Sequence, residues 1–174
     1  MNIFPAIDLF NGKAVRLLKG DYQKMTVYSE NPLEVAKDFE NSGAEFLHIV
    51  DLEGAKTGDT PNIGTIEKIV KNTSLFTEIG GGIRTLETVE KYVNIGVKTV
   101  ICTDVSKDGA MQGTNVDLYK EMSEKFNINI IASGGVSSID DIKRLKNLEI
   151  YGAIIGKAYY TKAISLAEAI EVAK

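Results

Sequence analysis

Short apolar runs and longer amphipathic stretches alternate along this chain, and nearly every run closes on a polar or glycine turn. The run around which the others are organised is 99–102, within KTVICTDVSKDG; it ends in Thr103-Asp104 and a polar turn closing on Asp108-Gly109. A run of that kind suits a buried strand whose last side chains reach a ligand at its carboxyl end. Further strands are predicted over residues 2–9, 45–51, 75–80, 128–132 and 152–155. Helical spacing predicts a helix from Pro32, with Asn31 as cap, Leu33, Val35, Ala36 and Phe39 on one face, and Gly43 as its stop. Others follow over 63–71, over 86–94 behind Thr85, over 115–125, from Ser138 through Leu145, and over 165–173. Residues 10–31 form a long polar connection with Lys13, Arg16, Lys19 and Lys24, and predict a small hairpin over 13–18; residues 52–62 read as a glycine-rich loop.

Six strand–helix units in strict alternation predict parallel strands joined by right-handed crossovers. The units also repeat. Asp51 to Asp104 spans 53 residues and Gly81 to Gly134 spans 53, so that GGIRTLETVEKY lies over GGVSSIDDIKRL.

Bulk properties narrow the function. At 174 residues the chain suits one domain with a sizeable core. A net charge of −4 argues against nucleic-acid or membrane-surface partners, which need a basic face. The single Cys102 excludes an intramolecular disulfide and a cysteine-rich zinc site, which points to a reducing cytoplasm. No apolar run reaches membrane-spanning length.

The two Gly-Gly turns carry the clearest chemistry. A strand that enters two glycines and then a helix amino terminus brings bare N–H groups and a favourable dipole to an anion. Gly134-Gly135, backed by Gly156-Lys157 on the next strand, resembles the barrel phosphate site of the last two βα turns. Gly80–Gly82 with Arg84 offers a second cradle. The alternative is that these glycines only turn the chain tightly. No GxGxxG follows a strand, so dinucleotide binding has little support. Asp8, Asp51 and Asp104 all close strands, where a carboxylate either serves as acid or base or caps the turn after it. His48 reads as a satisfied core or rim histidine rather than a general base; Cys102 and Tyr159-Tyr160 read as packing.

Taken together, PAIDLFNGKAVRLLKGDY, HIVDLEGA, EIGGGIR, ICTDVSKDGAMQGTN, ASGGVSS and IIGKA resemble the HisA isomerases of histidine biosynthesis. These are the phosphoribosylformimino-5-aminoimidazole carboxamide ribotide isomerases. The AIDL start favours them over their cyclase sister HisF. The resemblance implies a TIM barrel that converts a bisphosphorylated aminoaldose ribotide to its aminoketose by an Amadori rearrangement, with no metal or cofactor. It implies Asp8 as the base that takes the proton from C2, Arg16 and Arg84 as substrate-orienting groups, and Thr103 as a contact at the rim. Gly81, Gly82, Gly134 and Gly135, with Gly156 and Lys157, would hold the two phosphates.

The chain also departs from that family. Its first three units match the family's first three, and its last three match the sixth to eighth, with a junction near 96–98. The expectation is therefore a single contracted barrel over 1–174, TIM-barrel-derived, with six rather than eight units. The family's aspartate acid leaves with the fifth strand. Three readings follow. One is an active isomerase in which Asp104, opposite strand one in a ring of six, replaces that acid; strand alternation lets only one of Thr103 and Asp104 point inward. The second is a phosphosugar-binding protein without turnover, and the third is an incomplete barrel that forms a homo-oligomer through its exposed strand edges.

Overall fold

A computed structural model describes residues 3–18 and 20–174, so the expectations placed on Asn2 and Lys19 lie outside the described residues. The chain divides into two compact units, Met1–Val100 and Ile101–Lys174. In the first, β1 (Ala6–Phe10) leads into an antiparallel hairpin of β2 (Lys13–Leu18) and β3 (Asp21–Ser29). Then follow α1 (Pro32–Asn41), β4 (Phe46–Asp51), α2 (Leu52–Thr57), α3 (Ile63–Asn72), β5 (Phe76–Gly80) and α4 (Leu86–Asn94). Strand β6 (Thr99–Thr103) begins in the first unit and ends in the second, which continues with α5 (Val116–Lys125), β7 (Asn129–Ser133) and α6 (Ile139–Asn147). It closes with β8 (Gly152–Ala153), α7 (Lys157–Tyr160) and α8 (Leu166–Ala173). The strands hydrogen-bond in the order β3-β2-β1-β4-β5-β6-β7-β8. Pairs β1–β4, β4–β5, β5–β6 and β7–β8 are parallel, which makes a parallel-rich α/β sheet of eight strands.

Alternation along the strands builds the first core. Ile7 and Leu9 of β1, Leu47 and Ile49 of β4, and Thr77 and Ile79 of β5 are buried. They share the apolar layer with the helix positions Ala36, Ile66, Ile69, Val89 and Tyr92. Because successive strand side chains point to opposite faces, Asp8, His48, Val50 and Glu78 lie on the other face. In the second unit, Tyr119 of α5 is fully buried, and its hydroxyl lies 2.8 Å from the Ser133 carbonyl and 3.1 Å from that of Cys102. Burial pushes the Cys102 thiol up to about 11, so it packs as an inert apolar group.

Several local expectations change. Each of the six expected strands has a counterpart in β1, β4, β5, β6, β7 and β8, and two antiparallel strands join them, because the polar connection forms β2 and β3 and the hairpin runs on to Ser29. Strand β3 is mostly exposed and is held by backbone pairing to β2, so it carries no core-facing period. Residues 52–57 form a helix rather than a loop, since the Asp51 side chain accepts from the Gly54 N–H and caps it. Asn31 makes no side-chain cap, although Pro32 does begin α1. Strand β8 is two residues long instead of reaching 155. Thr85 and Ser138 cap α4 and α6 as expected.

Candidate functional site

Three rows of side chains cross the half-buried strand face of the first unit, opposite the apolar layer. Phe4, Phe46 and Phe76 form an aromatic row, with centroids 4.8 Å and 5.8 Å apart. The pairing Ala6–His48–Glu78 forms the next row and Asp8–Val50–Gly80 the third, toward the strands' carboxyl ends. Asp8 is largely covered, and its Oδ2 accepts from Arg16 Nη1 of β2 at 3.0 Å, so the hairpin sets a guanidinium over this carboxylate. The hairpin is anchored in turn. Glu53 accepts from the Asn11 N–H and from the Asn62 side chain, Asn62 Oδ1 accepts from the Gly12 N–H at 2.8 Å, and the Tyr22 hydroxyl donates to the Leu52 carbonyl at 2.9 Å. One row below Asp8, His48 Nδ1 lies 2.8 Å from Glu78 Oε1.

The matched spacing is a repeated device, present once in each unit. In the first, buried Asp51 accepts from the Gly54 N–H and from Asn62 Nδ2, both at 2.8 Å. In the second, Asp104 accepts from the Ser106 N–H at 2.9 Å, from the Ser106 hydroxyl and from Asn115 Nδ2 at 2.7 Å. Asn62 and Asn115 stand 53 residues apart, the same offset as the aspartates. Behind each aspartate sit two glycines with φ between +74° and +100°. A Cβ on Gly81 or Gly134 would collide with the carbonyl of Asp51 or Asp104, and one on Gly82 or Gly135 with that of Gly54 or Gly113. Close backbone packing therefore requires all four glycines, whatever they bind.

The two aspartates differ electrically. Burial is the largest influence on Asp51 and, with repulsion from Glu53, lifts its carboxyl above the ordinary value despite three hydrogen bonds. Burial also acts to raise Asp104, but the bonds from Ser106 and Asn115 and the nearby backbone N–H groups outweigh it and leave the carboxyl below the ordinary value. The second reading of a strand-end aspartate, a turn cap, describes this local geometry. Thr103 is half-exposed on the face opposite buried Cys102, while Asp104 turns toward the start of α5.

The second unit carries a small cavity of about 60 Å³ lined by Gly134, Gly135, Val136, Gly156 and Lys157, among others. Lys157 Nζ donates to the Gly109 carbonyl at 2.7 Å beside it. The first turn of α6 is already occupied: Asp141 Oδ2 accepts from the N–H and hydroxyl groups of both Ser137 and Ser138 at 3.0–3.1 Å. An anion in this cavity is left the glycine end of the turn. Burial works to raise the Asp141 carboxyl, but these bonds prevail and hold it below the ordinary value. A depressed carboxylate stabilises the fold above its unfolded pKa of about 3.9, and that contribution fades as pH falls through the folded value. Denaturant midpoints of the wild type and Asp141→Asn should accordingly differ at neutral pH and converge below about pH 4. A gap that stays constant into acid would contradict this.

Arg84 is exposed, and its Nη2 donates to the Ala55 carbonyl at 2.6 Å beside Gly58. The sequence reading missed the approach of His48 to Glu78. Strand parity held the signal, because Leu47 and Ile49 on either side of His48 are the natural core positions.

A parallel-rich α/β sheet of eight strands, with carboxylates and glycine turns at its strand ends, is consistent with a TIM-barrel-like fold. The fold is similar to that of the Amycolatopsis orientalis BexX/CysO complex, at a TM-score of 0.54 and 17% identity, covering 81% of this chain and 57% of that one. The family model described as "Histidine biosynthesis protein" matches residues 2–102 and again 89–165. The chain belongs to that family. A relative from Brachyspira hyodysenteriae is 40% identical over 237 aligned positions that span 100% of both chains. Relatives from Lactococcus lactis subsp. cremoris and Clostridium acetobutylicum are 41% and 37% identical, covering 95% and 99% of this chain and 94% and 98% of theirs. All three are named as imidazole-4-carboxamide isomerases, with two phosphoribosyl groups in the name. The Brachyspira alignment is 63 positions longer than this chain of 174 residues. No helix among the described residues is long and apolar enough to cross a membrane.

Proposed function

We propose that this chain is an aldose–ketose isomerase of histidine biosynthesis, acting on a bisphosphorylated aminoaldose ribotide. The observation that carries this reading is Asp8, a largely covered carboxylate at the carboxyl end of β1 with Arg16 at 3.0 Å. A base that removes a proton from carbon needs partial shielding from water, and a nearby cation balances its charge and that of an anionic substrate. In the proposed reaction Asp8 takes the C2 proton, Arg16 and Arg84 orient the ribotide, and Thr103 contacts it. The Gly81–Gly82 turn receives one phosphate, and Gly134–Gly135 with Gly156 and Lys157 receives the other. Relatives named for that activity, at about 40% identity across the chain, support the assignment.

The scaffold proposed for this chemistry is the contracted one, with six strand–helix units and an internal junction near 96–98. Two facts support it: the family model matches twice with residues 89–102 in common, and the relatives' alignments contain dozens of positions without a counterpart here. Calorimetry with the bisphosphorylated ribotide, run beside a turnover assay, tests the function. The isomerase reading predicts saturable binding and conversion of aminoaldose to aminoketose. Binding without conversion would favour a phosphosugar-binding protein, and the absence of both would sink either reading.

A further inference from the structure

We propose that His48, beside Glu78, is the proton donor and acceptor that complements Asp8 in this isomerisation. The inference rests on the isomerase reading above and deepens it. Opening an aminoaldose ring and moving its carbonyl equivalent from C1 to C2 needs an acid at the ring oxygen as well as a base at C2. Asp104 is poorly suited to the first task, because three hydrogen bonds from Ser106 and Asn115 commit its oxygens to the turn that starts toward α5.

The strand face that carries Asp8 offers a better-placed group. His48 pairs in register with Ala6 on one side and Glu78 on the other, and Asp8 is two residues further along β1 from Ala6. Asp8 and His48 are thus diagonal neighbours on one face, at a separation of roughly 7–8 Å between backbones, which long side chains bridge. Leu47 and Ile49 are fully buried on the opposite face, so strand parity fixes the imidazole to the face that carries Asp8. Both members of the pair are partly shielded, with side-chain exposures of 26% for His48 and 15% for Glu78. Nδ1 lies 2.8 Å from the Glu78 carboxylate, close enough for charge contact although the two are not aligned as a hydrogen bond, and Nε2 is the ring atom that would exchange protons with a substrate.

The proton balance closes with these two groups. The His48 imidazolium protonates the ring oxygen as the C1–O bond breaks, and the nitrogen lone pair forms the C1=N iminium. Asp8 removes the C2 proton; the C–H electron pair becomes the C1=C2 bond and the iminium electrons return to nitrogen. Neutral His48 then takes the C2 hydroxyl proton as the ketone forms, while C1 takes the proton held by Asp8. Both residues return to their starting states with no oxidant, reductant or metal.

The test is turnover of His48→Gln and Glu78→Gln across pH, with far-UV circular dichroism and thermal melts reporting the fold. The proposal predicts that folded His48→Gln loses at least about 100-fold in kcat. It also predicts that the alkaline fall in wild-type rate disappears, and that added imidazole restores activity to a His48→Ala variant. Glu78→Gln should lower kcat while KM for the ribotide stays close to wild type. Should His48→Gln fail to fold, Glu78→Gln and imidazole rescue at position 48 carry the same test. Wild-type kcat in folded His48→Gln, or a loss with an unchanged pH profile and no imidazole rescue, would overturn the assignment. An unsubstituted chain that never turns over would instead overturn the isomerase reading beneath it.

Discussion

Alanine at position 82 is expected to leave little folded protein at ambient temperature. Gly82 holds φ at +74°, where an L side chain costs about 1–3 kcal/mol, and its Cβ would press on the carbonyl of Gly54 inside α2. Backbone cannot yield as a flexible side chain can, so overpacking adds about 1–3 kcal/mol more. The combined penalty, on the order of 4 kcal/mol, removes most of the stability of a domain at the low end of the usual range, about 5 kcal/mol. Gly135→Ala, at the same step of the second unit against Gly113, should behave alike. Gly109→Ala is the control: its φ of +66° is strained too, but nothing lies within 4 Å of the added carbon. Equal melting points for Gly82→Ala and Gly109→Ala would show that close backbone packing is not what holds the strand-end turns.

Asp8→Asn should abolish measurable isomerisation, by about 10²- to 10⁴-fold in kcat, while calorimetric binding of the ribotide survives. Asparagine keeps the size of the side chain and one acceptor oxygen, so the fold and the contact with Arg16 are disturbed little; the proton acceptor is lost. A variant that binds the ribotide with near wild-type affinity but does not convert it separates base catalysis from substrate capture. Retained turnover in Asp8→Asn would remove Asp8 from the mechanism.

Much of this molecule was readable in its sequence because its signals are local and repeated. Pro32 and the caps Thr85 and Ser138 start the helices where expected, and α4 has the expected limits, since first-turn chemistry is written in three or four consecutive residues. The 53-residue offset between Asp51 and Asp104 extends in the structure to Asn62 and Asn115 and to the glycines behind them. What stayed hidden depends on partners distant in sequence. Strand β3 looks like a polar loop because only backbone pairing with β2 defines it. Helix α2 has six residues and is started by an aspartate that reads equally well as a catalytic group. For Asp104 the sequence offered acid or cap, and only the positions of Ser106 and Asn115 weigh one against the other. His48 and Glu78 lie 30 residues apart, and only the register of β4 on β5 brings them together.

Removal of the C2 proton of a bound aminoaldose ribotide by Asp8 is the step on which the proposed isomerisation rests. Release of deuterium from C2-deuterated ribotide to solvent, measured by NMR for the wild type and for Asp8→Asn, tests it most directly. Release is expected in the wild type alongside ketose formation, slowed at least about 100-fold in the variant. Release at equal rates in both proteins, or a wild type that binds the ribotide and never exchanges its C2 deuterium, would contradict it.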